Sequence, residues 1–169
     1  MARPTASDHA PYFDKYISKV KGDTVQEAIK NHAAAMLDFY INLPEDRADY
    51  AYAENKWTLK EILQHIIDAE RVFGYRILRI ARKDATPLAS FDENAFAANS
   101  GADNRTFQSI KDEFAAVRQA TDLLLLSLTE DQLQNQGTAS NHAATANAFA
   151  FITYGHLLHH REIIEERYL

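Results

Sequence analysis

Four long amphipathic segments constrain the fold of this chain more than any other feature of its sequence. Within each segment, apolar residues recur every three or four positions, the spacing that places them on one face of an α-helix. The pattern predicts helices over Thr24–Leu43, Thr58–Arg82, Arg105–Leu128 and Ala144–Arg167. Four such helices, each about 30 Å long, indicate an all-α fold in which they pack as a four-helix bundle.

Capping signals mark the starts of the first two helices. Thr24 is followed three residues later by Glu27, and Thr58 is followed at the same spacing by Glu61. In this arrangement each side chain accepts a hydrogen bond from a backbone N–H group at the helix start. We therefore expect both helices to begin at these threonines.

The segments between the helices are less regular. Residues 83–104 form a long link, in which we expect a short helical piece near Asp92–Ala98. A link of this length can cross the end of a bundle, which leaves simple up-and-down and crossover topologies both open. We interpret Gln134–Ala143 as a loop, and residues 1–22 as an N-terminal extension or a short helix.

The composition is that of one globular domain spanning residues 1–169. Of its residues, 46% are apolar and 25% are charged, and the length suffices for a normal core. The chain has no cysteine, which excludes disulfides, thiolate metal ligands and a cysteine nucleophile. A chain without cysteine suits a reducing compartment, and we expect a cytoplasmic protein.

Charge and hydropathy exclude two classes of partner. The net charge is −6 and no block of Lys and Arg is present, so we expect no binding to nucleic acid. The longest aliphatic run, Leu123–Leu126, is far too short for a membrane span. The first 14 residues are polar, so we expect no signal peptide.

The strongest functional signal is a pair of histidines in the last predicted helix. His156 and His160 are four residues apart, at the centre of the apolar face that Phe149, Ile152 and Ile164 define. A buried polar group without a partner costs about 1–3 kcal/mol, so both rings need partners. A metal ion bound by both rings would satisfy them. Hydrogen bonds to carboxylates or to the backbone are the alternative.

A metal site needs a third ligand, and His65 on the second predicted helix is the candidate. It lies at the edge of that helix's apolar face. Glu61 and Asp68 lie about one turn before and after it, where either can supply an oxygen ligand or orient the ring of His65. The alternative is that both carboxylates are solvated and that Glu61 serves only as a cap.

Other polar residues on these helices carry weaker signals. His159 lies off the apolar face, as a surface or interface histidine does, and His32 is predicted to be a hydrogen-bonded histidine at the edge of the core. Arg76 and Arg79 share the side of the helix that carries His65. They either attract an anionic substrate or form surface ion pairs.

A tryptophan, a helix with a histidine and a distant histidine pair follow one another along the chain. The segments that carry this order are Lys56–Phe73, Arg76–Arg82, Thr86–Leu88, Phe91–Asn94 and Gly155–His160. The combination resembles the DinB-like (YfiT-like) superfamily of metalloproteins. The resemblance extends from about Tyr50 to Leu169.

This resemblance implies a four-helix bundle with a crossover connection, usually assembled as a homodimer. It also implies a divalent metal ion bound by three histidines, which here are His65, His156 and His160. Nickel and zinc are the ions that the resemblance favours, while histidine ligation alone leaves iron and manganese open. Some members are transferases or isomerases that use a low-molecular-weight thiol, which would suit a chain that has no cysteine of its own.

The leading hypothesis is therefore a metal-dependent enzyme that acts on a small electrophilic substrate, as a hydrolase or as a thiol-dependent transferase. An ion with three histidine ligands keeps a position open for water or a thiol and lowers its pKa. No catalytic residue beyond the ligands is identified, and Asp68 and Glu61 are only candidates for a base. The alternative is a non-catalytic helical bundle that binds a metal or another ligand.

Overall fold

The structure, a computed structural model, describes residues 2–169 as a predominantly helical protein. Short 3₁₀ turns lie at Pro11–Phe13, Glu45–Arg47 and Ala102–Asn104. The other elements, in chain order, are α1 (Asp14–Ile17), α2 (Val25–Ile41), α3 (Leu59–Ala81), α4 (Glu93–Asn99), α5 (Phe107–Ser127), α6 (Glu130–Gln134), β1 (Gln136–Ala139), β2 (His142–Thr145) and α7 (Ala146–Arg167).

The four long helices confirm the four-helix bundle that the sequence predicts. They are α2, α3, α5 and α7, and their ends lie within a few residues of the predicted ones. Thr24 and Thr58 form the expected capping boxes with Glu27 and Glu61. The last helix begins at Ala146 rather than at Ala144 because the preceding residues belong to a strand.

The bundle has a crossover topology, which follows from the packing partners of each long helix. Helix α2 packs mainly against α5 and α7, and α3 also packs mainly against α5 and α7. Consecutive helices α2 and α3 are therefore diagonal neighbours, as are α5 and α7. The long link of residues 83–104 joins adjacent helices, so the crossings lie in the connections before and after it, not in that link.

Residues 136–145 form a β-hairpin where the sequence analysis predicts a loop. β1 pairs antiparallel with β2 from Gln136 opposite Thr145 to Ala139 opposite His142. The two-residue turn is made by Ser140 and Asn141, which both have positive φ, as the tight turn of a hairpin requires. The prediction was wrong because small and polar residues give these strands no clear apolar alternation.

The N-terminal segment covers part of α7. The predicted short helix is present as α1, and it packs directly against α7. At Gly155 the two backbones are so close that an added Cβ would lie 2.2 Å from the carbonyl oxygen of Tyr16. This contact explains why every residue of α7 from Ala146 to Leu157 is buried rather than one face alone.

No helix in the described part of the chain is long and apolar enough to cross a membrane. This agrees with the short aliphatic runs of the sequence.

Candidate metal centre

Three histidine side chains from two helices meet in the bundle. The Nε2 atom of His156 lies 3.2 Å from Nε2 of His65 and 3.0 Å from Nε2 of His160. One ring nitrogen from each residue lies within 4.8 Å of the other two. We call His65, His156 and His160 the histidine cluster. The structure therefore brings together all three residues that the sequence analysis selected.

The local structure of each helix explains the convergence. His156 and His160 lie one turn apart on α7, so their rings project from the same face. His65 comes from α3, the helix that packs most extensively against α7. It is buried rather than at an edge because the ring of Trp57 covers it, with the ring centroids 4.8 Å apart.

Burial keeps the three rings uncharged. It lowers the pKa of His65 to about 4. The pKa values of His156 and His160 also fall well below the ordinary range, first because of burial and then because the neighbouring imidazoles disfavour a second positive charge. Neutral imidazoles have a free lone pair on one ring nitrogen, which is the form that binds a metal ion.

Hydrogen bonds alone do not satisfy the cluster. A neutral imidazole Nε2 is either a donor or an acceptor, so His156 Nε2 must share one proton or one lone pair between two neighbours. Nδ1 of His160 is buried and has no hydrogen-bond partner among the described residues. Two nitrogen ligands of one tetrahedral zinc ion lie about 3.4 Å apart, close to the two Nε2 separations observed. The donor set thus fits a single divalent ion.

The two candidate carboxylates do not join the cluster. Glu61 accepts hydrogen bonds from the backbone N–H (2.7 Å) and the hydroxyl (3.0 Å) of Thr58, so it acts as the cap of α3. Asp68 accepts a hydrogen bond from Gln64 at 3.0 Å and lines a different cavity, next to α4. Their positions one turn from His65 suggested that they lie near its ring, but both side chains bond to other partners.

His32 and Arg79 lie away from the cluster, whereas the ring of His159 contacts that of His160, with the centroids 5.2 Å apart. His32 accepts a hydrogen bond from the backbone N–H of Lys21 at 2.8 Å, as expected for a histidine at the core edge. The ring of His159 is half-buried and contacts Tyr16 edge-on, with the centroids 5.2 Å apart. Arg79 forms the expected surface ion pair, with Asp84 as its partner.

A cavity of about 600 Å³ opens beside the histidine cluster. All three cluster residues line it, together with several residues that the sequence analysis did not select. These are Lys15, Tyr16, Phe73 and His142; the cavity is also lined by Trp57, Arg76 and His159, which the sequence analysis considers. The volume falls in the range of small-molecule binding sites. No local sequence signal marks the four residues that it does not select, except that Gly155 allows Tyr16 to approach the cluster closely.

The fold and the cluster define a class of protein, a crossover four-helix bundle with three converging histidines. The family model of the DinB superfamily matches residues 28–164 of this sequence. The chain therefore belongs to the DinB superfamily, as its sequence motifs indicate. Comparison with curated proteins gives no match.

Solved structures of similar fold include two from Bacillus subtilis. YfiT, described as a probable metal-dependent hydrolase with an unusual four-helix bundle topology, is 18% identical and has a TM-score of 0.71, with 96% of this chain and 89% of YfiT covered. The DinB-like protein YjoA is also 18% identical, with a TM-score of 0.58 over 84% of this chain and 87% of YjoA.

A third similar structure is a mycothiol-dependent maleylpyruvate isomerase. It is 13% identical and has a TM-score of 0.66, and the match covers 83% of this chain but only 62% of the isomerase. At these identities, the likeness of all three structures establishes the fold.

Proposed function

We propose that this protein is a metal-dependent enzyme in which His65, His156 and His160 bind one divalent ion, nickel or zinc. The observation that carries the proposal is the convergence of three uncharged imidazoles, in which Nε2 of His156 lies within 3.2 Å of both other Nε2 atoms and Nδ1 of His160 is left without a partner among the described residues. Two similar folds support an enzymatic role, since one is described as a probable metal-dependent hydrolase and another as a mycothiol-dependent isomerase.

The proposed reaction is attack of a water or a low-molecular-weight thiol on a small electrophile. A divalent ion bound by the cluster supplies a Lewis acid and lowers the pKa of the attacking group. The chain has no cysteine, so any thiol nucleophile must come from a cofactor. The size of the cavity supports a small-molecule substrate.

Aromatic residues shape the space in front of the cluster. The rings of Tyr16 and Phe73 contact His156, with centroids 5.5 Å and 5.7 Å away, and Trp57 covers His65. These rings cover much of the cluster, which is open to the cavity described above and, at His160, to a smaller cavity of about 260 Å³. Burial also raises the pKa of the Tyr16 hydroxyl, which therefore remains a hydrogen-bond donor at neutral pH.

Metal analysis of purified protein tests the ligand assignment. We expect about one divalent ion per wild-type chain, and loss of that ion in His65→Ala, His156→Ala and His160→Ala. His159→Ala is the matched control, because it removes a neighbouring imidazole outside the cluster. Equal metal content in the wild type and in all the variants would contradict the proposal.

Activity assays with and without a thiol separate the two reaction classes. Hydrolysis of p-nitrophenyl acetate by metal-loaded protein alone would support a hydrolase. Conjugation of 1-chloro-2,4-dinitrobenzene that requires added cysteine would support a thiol-dependent transferase. Metal retention with a chelator-sensitive melting temperature and no turnover in either assay would favour the non-catalytic bundle.

A further inference from the structure

Arg76 is a buried cation in the wall of the cavity that the histidine cluster also lines. Only 3% of the residue is exposed, and it lies on α3 three turns beyond His65. One terminal nitrogen, Nη2, donates to the backbone carbonyl of Ala89 at 2.7 Å and to the hydroxyl of Ser140 at 3.0 Å. No carboxylate among the described residues forms an ion pair with Arg76.

The remaining nitrogens of Arg76 are available to a ligand. Nε and Nη1 have no hydrogen-bond partner among the described residues, and Arg76 lines the cavity. Burial lowers the pKa of Arg76 somewhat, but a guanidinium stays protonated in proteins. A buried charge without a counter-ion is costly, which makes the site favourable for an anion.

Two other arginines of the same bundle behave differently. Arg118 is equally buried, with 3% of its side chain exposed, but it pairs with Glu70 at 2.7 Å and also with Asp122. Arg79, one turn from Arg76 on the same helix, pairs with Asp84. Arg76 therefore differs from them in that its positive charge faces a cavity instead of a carboxylate.

The charge of the cavity wall is opposite to that of the whole chain. The chain has a net charge of −6, yet the wall carries Lys15 and Arg76 against a single carboxylate, Glu93, with the cluster imidazoles uncharged. Glu93 does not pair with Arg76. The local field thus favours an anionic ligand.

Aromatic rings connect Arg76 to the cluster. Its guanidinium carbon lies 5.5 Å from the centroid of the Phe149 ring, Phe149 lies 6.1 Å from Phe73, and Phe73 lies 5.7 Å from His156. Of the two phenylalanine rings, only that of Phe73 lines the cavity, and Phe91, whose ring centroid lies 6.0 Å from the guanidinium carbon, lines it too. The cavity wall thus carries apolar rings beside the cation and beside the histidines. A ligand that reaches both ends must have an anionic group and an apolar body.

From these observations we propose that Arg76, held in place by Ser140 and the Ala89 carbonyl, binds a carboxylate of the substrate, and that the substrate is a small carboxylic acid with an apolar body. That the bound carboxylic acid is a substrate rests on the proposed function. The binding of its carboxylate by Arg76 does not, because that contact needs no metal. A planar guanidinium matches the geometry of a carboxylate.

Binding of benzoate and of its uncharged analogue benzamide tests the assignment. The full chain is titrated by calorimetry both as purified and after chelator treatment, so that direct binding of benzoate to a metal ion can be recognised. We expect benzoate to bind the wild type in both states and benzamide to bind at least about tenfold more weakly, since a charged hydrogen bond contributes about 1.5–3 kcal/mol.

Arg76→Gln should weaken benzoate binding by about tenfold or more, whereas Arg79→Gln, the matched control one turn away, should bind within about twofold of wild type. Thermal melting shows whether Arg76→Gln is folded. If it is not, the comparison of benzoate with benzamide in the wild type decides alone.

Three results would overturn the proposal: equal binding of benzoate and benzamide, undiminished binding by folded Arg76→Gln, or no benzoate binding at all. Displacement of benzoate by an equal concentration of inorganic phosphate would overturn the carboxylate class. A chain that retains no metal but binds benzoate through Arg76 would contradict the proposed function and leave this assignment standing.

Discussion

Two groups of buried polar side chains both include residues of α3 and α7, and they differ in how their polar atoms are matched. The first, which we call the charge network, consists of Glu70 on α3, Arg118 and Asp122 on α5, and Tyr154 on α7. The second is the histidine cluster. The charge network pairs opposite charges and places a hydroxyl donor, that of Tyr154, 2.5 Å from a carboxylate oxygen of Asp122.

The histidine cluster instead places three like groups together, so that Nε2 of His156 must serve both other Nε2 atoms with a single proton or lone pair. Within the charge network Glu70 Oε2 is the atom that lacks a partner among the described residues, and within the cluster it is His160 Nδ1. The comparison teaches that burial of polar groups by itself does not indicate function. Complementary groups stabilise the fold, whereas three converging imidazole nitrogens form the kind of donor set that a cation site requires.

The largest expected change in stability comes from a substitution that breaks the charge network. Arg118→Met should destabilise the protein by about 3–5 kcal/mol, because it leaves the buried carboxylate of Glu70 without its counter-ion. Urea denaturation monitored by circular dichroism measures the change. Arg161→Met is the control, since its pair with Glu165 is largely exposed and should contribute less than about 1 kcal/mol. If the two variants lose similar free energies of unfolding, the buried charge network stabilises the protein no more than an exposed ion pair does.

A smaller effect concerns the pH dependence of the metal-free protein. Below pH 6.5 the unfolded chain binds protons at its histidines, while folded His65, with a pKa of about 4, does not. The free energy of unfolding should therefore fall as the pH decreases from about 6.5 to 4, by about 3 kcal/mol for His65 alone. Urea denaturation of chelator-treated protein at several pH values measures this.

Replacing His65 by Gln removes one titrating group and should reduce the slope of stability against pH over the same interval. Protonation of carboxylates at low pH also lowers the free energy of unfolding, but it does so in both the wild type and the variant and therefore cancels in the comparison. An unchanged slope would mean that His65 is not held uncharged in the fold.

The smallest effect is expected from an apolar replacement within the cluster. In metal-free protein, His160→Leu should change the free energy of unfolding by less than about 1 kcal/mol, or increase it, because it removes a buried ring whose Nδ1 has no partner. The same variant should not retain metal. A loss of several kcal/mol on denaturation, comparable with that of Arg118→Met, would mean that the imidazole stabilises the metal-free fold.

Local sequence rules predicted much of this molecule. The capping threonines fixed the starts of α2 and α3, because caps depend on residues only three positions apart. Spacing on one helix, together with the resemblance to a known superfamily, identified His65, His156 and His160. These features depend on helical periodicity, which a sequence displays directly.

The remaining features depend on which elements become neighbours. Arg76 and Arg79 share one side of α3 in the sequence, yet Arg76 faces the cavity because Ala89 and Ser140 hold it, while Arg79 meets Asp84. Asp68 and Glu61, by contrast, have local partners at Gln64 and Thr58, and the cap role of Glu61 is one that the sequence offers. The hairpin and the position of the crossings were missed for the same reason, since neither follows from the pattern of one segment.

The diagonal placement of consecutive helices has a consequence for how the site is assembled. The two histidines that approach at 3.2 Å, His65 and His156, are 91 positions apart in the chain, with α5 between them in sequence. No contiguous fragment that lacks α7 contains more than one member of the cluster. Binding of the proposed ion by all three ligands during refolding would therefore report the docking of α7 against α3, and a nascent polypeptide would complete the site only after its last helix has docked.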